Sequence, residues 1–213
     1  MTRSKQRSLM YSQADEERYI VEAVSHFANT GKLLDIGAWH PTEFSNSRRL
    51  IELGFSAILI EPSPEPFLSL LKEYGDSEKH ILICAAVWLE AGLIKLHATA
   101  DAVSTIDDKE YARWKETGGF YGSFLTNAIT MDDIFNRYGG NFEFVNFDAE
   151  GVSVDLFLRM LELGPRPKCC CVEIDQGRDE ELASRAQAAG YRSVNDAGYK
   201  VLGNGCNVIW VLK

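Results

Sequence analysis

The sequence predicts an α/β fold in which a mainly parallel sheet is covered by helices on both faces. Short apolar segments alternate with helical segments along most of the 213 residues, as in chains built from βαβ units. The apolar segments are nearly continuous instead of alternating with polar residues, which indicates strands that are buried on both sides. The chain shows no internal repeat and no low-complexity segment. We therefore expect one α/β domain.

Residues 1–30 are predicted to form an N-terminal tail and a helical extension that precede this domain. Residues 1–12 are polar and basic, and a helix is expected to begin at Ser12, where Ser12 and Asp15 resemble a capping box. Ile20 and Val24 then fall on one helical face, and Gly31 is the expected end of the extension.

The domain proper is predicted over 31–213. Its strands are expected at 33–37, 57–62, 80–87, 142–148, 169–175 and 207–212. Its helices are expected at 42–53, 64–74, 131–138, 154–163 and 179–189, several of them closed by glycine. Residues 93–130 interrupt the alternation of strands and helices and are predicted to be an irregular insertion with a short strand at 94–99. The last strand follows a Gly/Asn-rich turn at 203–205, which indicates a closing hairpin.

Composition excludes several classes of function. The chain has 22 Lys and Arg against 31 Asp and Glu, a net charge of −9 and a pI near 5.0, so nucleic acid is not expected as a partner. Five cysteines include no Cys-x-x-Cys pair, which fits a reducing cytoplasm. The longest apolar run, 81–89, is far shorter than the ~20 residues of a membrane span.

Carboxylates and a glycine turn follow three of the predicted strands. Asp35 and Gly37 end the first, Glu61 ends the second, and Asp148 and Glu150 end the fourth. In an open parallel sheet, ligands bind beyond the carboxyl ends of the strands. Gly37 allows a tight turn, and Glu61 is spaced to accept hydrogen bonds from both hydroxyls of an adenosine ribose. A nucleotide site is therefore predicted at this edge.

The first loop distinguishes between two cofactors, NAD and S-adenosylmethionine. A dinucleotide site needs a G-x-G-x-x-G turn that cradles a pyrophosphate, whereas Gly37 is followed by Ala38, Trp39, His40 and Pro41. Proline has no N–H to offer a phosphate. S-adenosylmethionine, which carries no phosphate, suits this loop better.

Four segments resemble the FkbM-type methyltransferase family. They are DIGAWHPTEFSNSRRLIELGFSAILIEPSP at 35–64, VST at 103–105, TMDDI at 130–134 and FVNFDAEG at 144–151. The resemblance implies a Rossmann-like class I methyltransferase with a seven-stranded sheet whose last strand is antiparallel. It also implies S-adenosylmethionine as cofactor and O-methylation of a hydroxyl on a sugar, glycan or small natural product. Trp39, His40 and Pro41 depart from the loop of many members, so the contacts of that loop are less firmly implied than those of Glu61.

The resemblance also implies roles for individual residues. Glu61 would hold the ribose hydroxyls, and Asp148 would lie beside the sulfonium and the acceptor. The methionine end would be lined by Asp35, Gly37 and Ala38, and the adenine by Ala85 and Ala86.

Asp148 is expected either to position the cofactor or the acceptor or to act as the base that removes the hydroxyl proton, and Glu150 and His40 are the next candidate bases. Spacing shows no third ligand beside Asp148 and Glu150, so no metal is expected. Ser153 is the expected cap of the following helix. The acidic run at 107–110 is interpreted as a solvated face.

Two other functions remain open from the sequence: an NAD-linked oxidoreductase and a non-catalytic binding module with the same fold. The acceptor is expected to be a small molecule or a glycan. A homodimer is compatible with the sequence.

Overall fold

A seven-stranded sheet forms the centre of the fold. The structure is a computed structural model that describes residues 10–99, 104–116, 119–174, 177–194 and 207–213. Its strands are β1 (Lys32–Ile36), β2 (Ser56–Ile60), β3 (His80–Ile83), β4 (Ala86–Val87), β5 (Gly92–Thr99), β6 (Phe120–Ile129), β7 (Phe144–Phe147), β8 (Cys169–Glu173), β9 (Tyr191–Ser193) and β10 (Asn207–Leu212). Its α-helices are α1 (Glu16–Val24), α2 (Arg48–Glu52), α3 (Pro64–Tyr74), α4 (Asp108–Trp114), α5 (Met131–Tyr138), α6 (Ser153–Leu163) and α7 (Asp179–Ala188).

The strands of the large sheet follow the order β3-β2-β1-β7-β8-β10-β9. β1 pairs in parallel with β2 and β7, β2 with β3, and β7 with β8. β10 runs antiparallel to both of its neighbours, β8 and β9. The predicted mainly parallel sheet with an antiparallel last strand is therefore confirmed. The turn predicted at 203–205 lies outside the described residues.

Two apolar clusters cover the two faces of this sheet, as predicted. Alternate residues of one strand enter different clusters, because successive side chains of a strand point to opposite faces. In β8, Cys170 packs on the face covered by α5, α6 and α7, whereas Cys169 and Cys171 pack on the face covered by α1, α2 and α3. The three cysteines are fully buried with free thiols, as expected for small apolar residues of an inner strand.

Residues 93–130 are more regular than expected. β5 and β6 form a long antiparallel pair, and β4 adds to β6 in parallel, giving a separate three-stranded sheet. The single strand predicted at 80–87 is wrong, because only β3 joins the large sheet and β4 joins the small one. Helix α4 begins at the predicted solvated face, since the side chain of Asp107 accepts hydrogen bonds from the N–H groups of Lys109 and Glu110.

The N-terminal helix begins later than predicted, at Glu16. The capping box of Ser12 and Asp15 is wrong, because Asp15 makes no side-chain cap and Ser12 Oγ accepts the N–H of Glu17 instead. Tyr11, predicted to lie in the polar tail, is held by Glu52, whose carboxylate accepts its phenol hydrogen at 2.7 Å.

The helix predicted at 42–53 is shortened to α2. Its first part belongs to a loop that begins at Trp39, and Trp39 and Phe44 have positive φ there, at +39° and +54°. His40 Nδ1 accepts hydrogen bonds from the N–H groups of Thr42 and Glu43, and these bonds favour the loop conformation over a helical one. Helices α3 and α5 have the bounds predicted for them. No helix within the described ranges has the length and apolarity required to cross a membrane.

Candidate active site

A cavity of about 560 Å³ lies at the carboxyl ends of the central strands. It brings together all but one of the residues predicted for cofactor or catalysis: Asp35, Gly37, Ala38, Glu61, Ala85, Ala86, Asp148 and Glu150. His40 does not line it, and its Nδ1 is occupied by backbone N–H groups of its own loop. The arrangement gives no support to His40 as a base.

Gly37 brings the loop after β1 into contact with the loop after β7. Its φ is +78°, and a Cβ at this position would lie 1.7 Å from the carbonyl oxygen of Asp148. The N–H groups of Gly37 and Ala38 both donate to the carbonyl of Ile60 at the end of β2, at 3.0 and 3.1 Å. Only glycine fits this turn, because it has no Cβ and tolerates the left-handed conformation.

Glu61 is a buried carboxylate whose two oxygens are oriented by the backbone. Oε2 accepts the N–H of Trp39 at 3.1 Å, and Oε1 accepts the N–H of Ser63 at 2.7 Å. Burial raises the pKa of Glu61 to about 7, against the hydrogen bonds from Ser63 and Trp39 that favour the charged form. Each oxygen keeps a lone pair, so the side chain can accept two further donors, as a vicinal diol would supply.

Asp35 is buried at the end of β1, where polar side chains of two other elements reach it. Its Oδ1 accepts Asn146 Nδ2 at 2.9 Å, and the Ser47 side chain also bonds to the carboxylate. Burial raises the pKa of Asp35, while these two hydrogen bonds oppose the rise. Asn146 and Ser47 are functional neighbours that the sequence analysis did not single out.

The rim of the cavity near α2 is formed by the loop at 39–47. Trp39 and Phe44 both line the cavity, and their rings stack at 5.6 Å with an interplanar angle of 15°. Both residues have positive φ, an uncommon conformation for large side chains that costs free energy and clusters at functional sites.

Three carboxylates converge on the opposite wall. Oxygen atoms of Asp148, Glu150 and Glu173 all lie within 4.8 Å of one another. From spacing, the sequence analysis identified only Asp148 and Glu150 as neighbouring carboxylates and found no third ligand. In the structure, Glu173 is that third carboxylate. The set has the chemistry of a hard divalent cation site, since such ions take several carboxylate oxygens. Glu173 is the last residue of β8, and Asp35 is the last but one of β1, so attention to carboxylates at strand ends would have found Glu173 as well.

The surroundings of Asp148 raise its pKa. Desolvation first, and next the negative charge of Asp35, raise its pKa to about 7, against a hydrogen bond with Glu173 that lowers it. Ser153 does not cap α6 as predicted. Its hydroxyl accepts the N–H of Ala149 at 2.9 Å and so holds the turn that carries Asp148.

The segment between β5 and β6 closes the cavity from one side. Ser104, Ile106, Glu110 and Arg113 line it, and Thr105 Oγ1 donates to the carbonyl of Glu150 at 2.8 Å. The Arg113 guanidinium lies 3.2 Å from Glu110. Of the VST segment singled out in the sequence, Ser104 therefore reaches the cavity, and Val103 lies outside the described residues.

The N-terminal segment closes the cavity from another side. Gln13 lines it, and the carbonyl of Tyr11 accepts the N–H of Ser45 in the rim loop at 3.0 Å. Glu16 is almost fully buried and accepts Asn207 Nδ2 at 3.3 Å. No local pattern marks these residues as part of the site, because their partners are far away in the sequence.

Comparisons with solved structures return methyltransferases at low sequence identity. The precorrin-6y C5,15-methyltransferase of Geobacter metallireducens is 12% identical, with a TM-score of 0.49 over 99% of this chain and 94% of its own. The tRNA (m1A22) methyltransferase TrmK of Bacillus subtilis is 12% identical, with a TM-score of 0.49 over 96% and 68%. A TehB-like SAM-dependent methyltransferase of Corynebacterium glutamicum is 11% identical, with a TM-score of 0.44 over 93% and 88%.

No protein-family model matches the chain, and no curated protein is similar to it at a significant level. The fold follows from the strand order itself. Seven strands in the order β3-β2-β1-β7-β8-β10-β9, with β10 antiparallel, have the Rossmann-like class I methyltransferase topology.

Proposed function

We propose that this chain is an S-adenosylmethionine-dependent methyltransferase that methylates a hydroxyl oxygen of a sugar, glycan or small natural product. The observation that carries the proposal is the convergence of Gly37, Glu61 and Asp148 on one cavity at the carboxyl edge of the sheet. The cavity volume of about 560 Å³ is in the range of small-molecule sites.

The residues present fit this cofactor. Glu61 offers one lone pair on each oxygen to the two ribose hydroxyls, and the buried Ala85 and Ala86 provide an apolar surface for the adenine. Asp35 and the Gly37 turn would lie at the methionine end. The bound cofactor would supply a methyl group on a sulfonium, which leaves as a neutral thioether.

Asp148 has the properties of the group that takes the acceptor proton. A base works best when its pKa lies near the working pH, and desolvation together with Asp35 brings Asp148 into that range. The positive charge of a sulfonium nearby would lower this pKa, which keeps Asp148 ionised as a hydrogen-bond acceptor for the hydroxyl but makes it a weaker base. Glu173, which hydrogen-bonds to Asp148, orients the carboxylate. Glu150 remains the second candidate.

The charges of the cavity favour an acceptor without phosphates. Among the described residues, seven carboxylates line it: Asp35, Glu61, Glu110, Asp148, Glu150, Glu173 and Asp179. Arg113 is the one cationic side chain among the described lining residues, and it is paired with Glu110. Because carboxylates repel phosphates and accept hydrogen bonds from hydroxyls, a polyhydroxylated acceptor fits better than a nucleic acid.

The proposal is tested by incubating the protein with methyl-tritiated S-adenosylmethionine and a panel of sugars, glycans and phenolic natural products. We expect tritium in an alkali-stable ether product and stoichiometric S-adenosylhomocysteine. Calorimetry with S-adenosylhomocysteine tests the cofactor independently of the acceptor. Failure to bind either nucleoside would refute the proposal, and binding without turnover on any acceptor would favour a non-catalytic module.

A further inference from the structure

Asn46 carries a buried carbonyl oxygen that no donor satisfies. The side chain lines the cavity and is 5% exposed, and its Oδ1 has no hydrogen-bond partner within the part of the chain that the structure describes. Buried polar atoms of folded proteins are nearly always hydrogen-bonded, so an exception in a binding cavity calls for an explanation.

The neighbouring hydrogen bonds fix which end of the Asn46 amide is unsatisfied. Asp35 Oδ1 accepts Asn146 Nδ2 at 2.9 Å, which turns Asn146 Oδ1 toward Asn46. That oxygen accepts Asn46 Nδ2 at 3.2 Å. Flipping the Asn46 amide would oppose two carbonyl oxygens, because an amide oxygen only accepts hydrogen bonds. Oδ1 is therefore the end left for a donor from elsewhere.

Asn46 lies at the Asp35 end of the cavity. Asn46 reaches Asp35 through Asn146, and the adjacent Ser47 bonds to Asp35 directly. Asp35 and the Gly37 turn are the residues assigned above to the methionine part of the cofactor. The donor group of that part is its α-ammonium, which carries three N–H bonds and a positive charge.

We propose that Asn46 Oδ1 accepts a hydrogen bond from the α-ammonium group of bound S-adenosylmethionine, so that Asn46 recognises the amino-acid part of the cofactor. This inference rests on the proposed function. Oδ1 is buried, so a small turn of the amide would accompany binding. Satisfying the buried carbonyl favours that turn, and hydrogen bonds to charged groups are stronger than neutral ones.

The test compares two ligands on two proteins by calorimetry. The ligands are S-adenosylhomocysteine and its deaminated analogue, in which hydrogen replaces the α-amino group. Wild type should bind the analogue at least tenfold more weakly, which corresponds to about 1.4 kcal/mol. Asn46→Ala should bind S-adenosylhomocysteine at least tenfold more weakly than wild type, and should bind both ligands within about threefold of each other.

Glu61→Gln is the matched control, because it acts at the ribose and should weaken both ligands by the same factor. If Asn46→Ala retains the full preference of wild type for the amino group, the inference is overturned while the proposed function stands. If wild type binds neither ligand, both fail. Thermal unfolding without ligand shows whether Asn46→Ala is folded, and Asn46→Ser replaces it if it is not. If neither variant folds, the wild-type measurement decides. A tenfold preference of wild type for S-adenosylhomocysteine over the deaminated analogue supports the inference, and equal affinity for the two ligands overturns it.

Discussion

Replacing Glu61 by glutamine should weaken the binding of S-adenosylhomocysteine by about 10- to 100-fold, or roughly 1.4–2.7 kcal/mol. In wild type, each carboxylate oxygen accepts one backbone N–H, from Trp39 at 3.1 Å and from Ser63 at 2.7 Å, and keeps one lone pair for a ribose hydroxyl. Glutamine has the same shape as glutamate, but its amide nitrogen is a hydrogen-bond donor where glutamate has an acceptor oxygen. That nitrogen would face the backbone N–H of Trp39 or Ser63, which is also a donor.

The magnitude follows from the bonds that change. Two charge-assisted bonds to ribose hydroxyls, each contributing about 1.5–3 kcal/mol, are replaced by one neutral bond of about 0.5–1.5 kcal/mol. Because a ribose hydroxyl is a neutral donor, each charge-assisted bond is taken at the low end of its range, about 1.5 kcal/mol. The net loss of binding free energy is then about 2 kcal/mol.

The pH dependence of binding provides a second measure of the same assignment. The pKa of Glu61 is raised to about 7, chiefly because the side chain is buried. Ribose hydroxyls donate to the ionised form, so wild-type affinity should be highest above pH 7 and fall by up to about tenfold between pH 8 and pH 6. Glu61→Gln removes the titrating group and should flatten this profile.

Calorimetry with S-adenosylhomocysteine at pH 6, 7 and 8 measures both effects, since its thioether is neutral and interacts weakly with the charge of Asp148. Glu143→Gln is the matched control. Glu143 also accepts a backbone N–H, that of Lys32 at 2.6 Å, but it does not line the cavity. Wild-type affinity in Glu61→Gln, or an unchanged pH profile in that variant, would refute the ribose assignment.

Further predictions concern three other substitutions. Asp148→Asn should lower kcat by about 10²- to 10⁴-fold while changing cofactor affinity much less, and unchanged turnover would remove Asp148 from the mechanism. Burial of the charged form of Asp148 raises its pKa and lowers the free energy of unfolding. This loss of stability is absent below about pH 4, where the group is protonated in both states, and complete above about pH 7. Chemical denaturation should therefore show Asp148→Asn to be more stable than wild type by about 1 kcal/mol or more at pH 8, with the difference disappearing at pH 4. Gly37→Ala should lower the free energy of unfolding by more than about 3 kcal/mol, because the methyl group of alanine would clash with the Asp148 carbonyl. An unchanged melting temperature would contradict the close approach of the two loops. Thr130→Ala removes a capping box with Asp133 at the start of α5 and should cost about 1 kcal/mol in thermal unfolding, with no change in S-adenosylhomocysteine affinity.

The sequence predicted the large sheet and most of the cavity because both depend on local patterns. Buried parallel strands are continuous apolar runs; Glu61 and Asp148 stand directly after such a run, and Asp35 stands next to the last residue of one. The topology of parallel strands then brings their carboxyl ends to one edge, whatever the lengths of the connecting segments.

The small sheet was missed because its strands lack that pattern. In β6, Leu125 and Tyr121 are exposed, and glycine and polar residues stand between the apolar ones. Such a strand is held by its cross-strand partners in β5, which the sequence of β6 alone does not reveal. The contributions of Gln13 and Glu16 were missed for a related reason, since their contacts depend on how α1 packs against the sheet.

The contact between Gly37 and the Asp148 carbonyl joins the loop after β1 to the loop after β7. The two loops touch through main-chain atoms, with no side chain between them that could move aside. Any residue with a Cβ at position 37 would therefore have to displace one loop or the other, and the part of the cavity wall that they share would change shape with it.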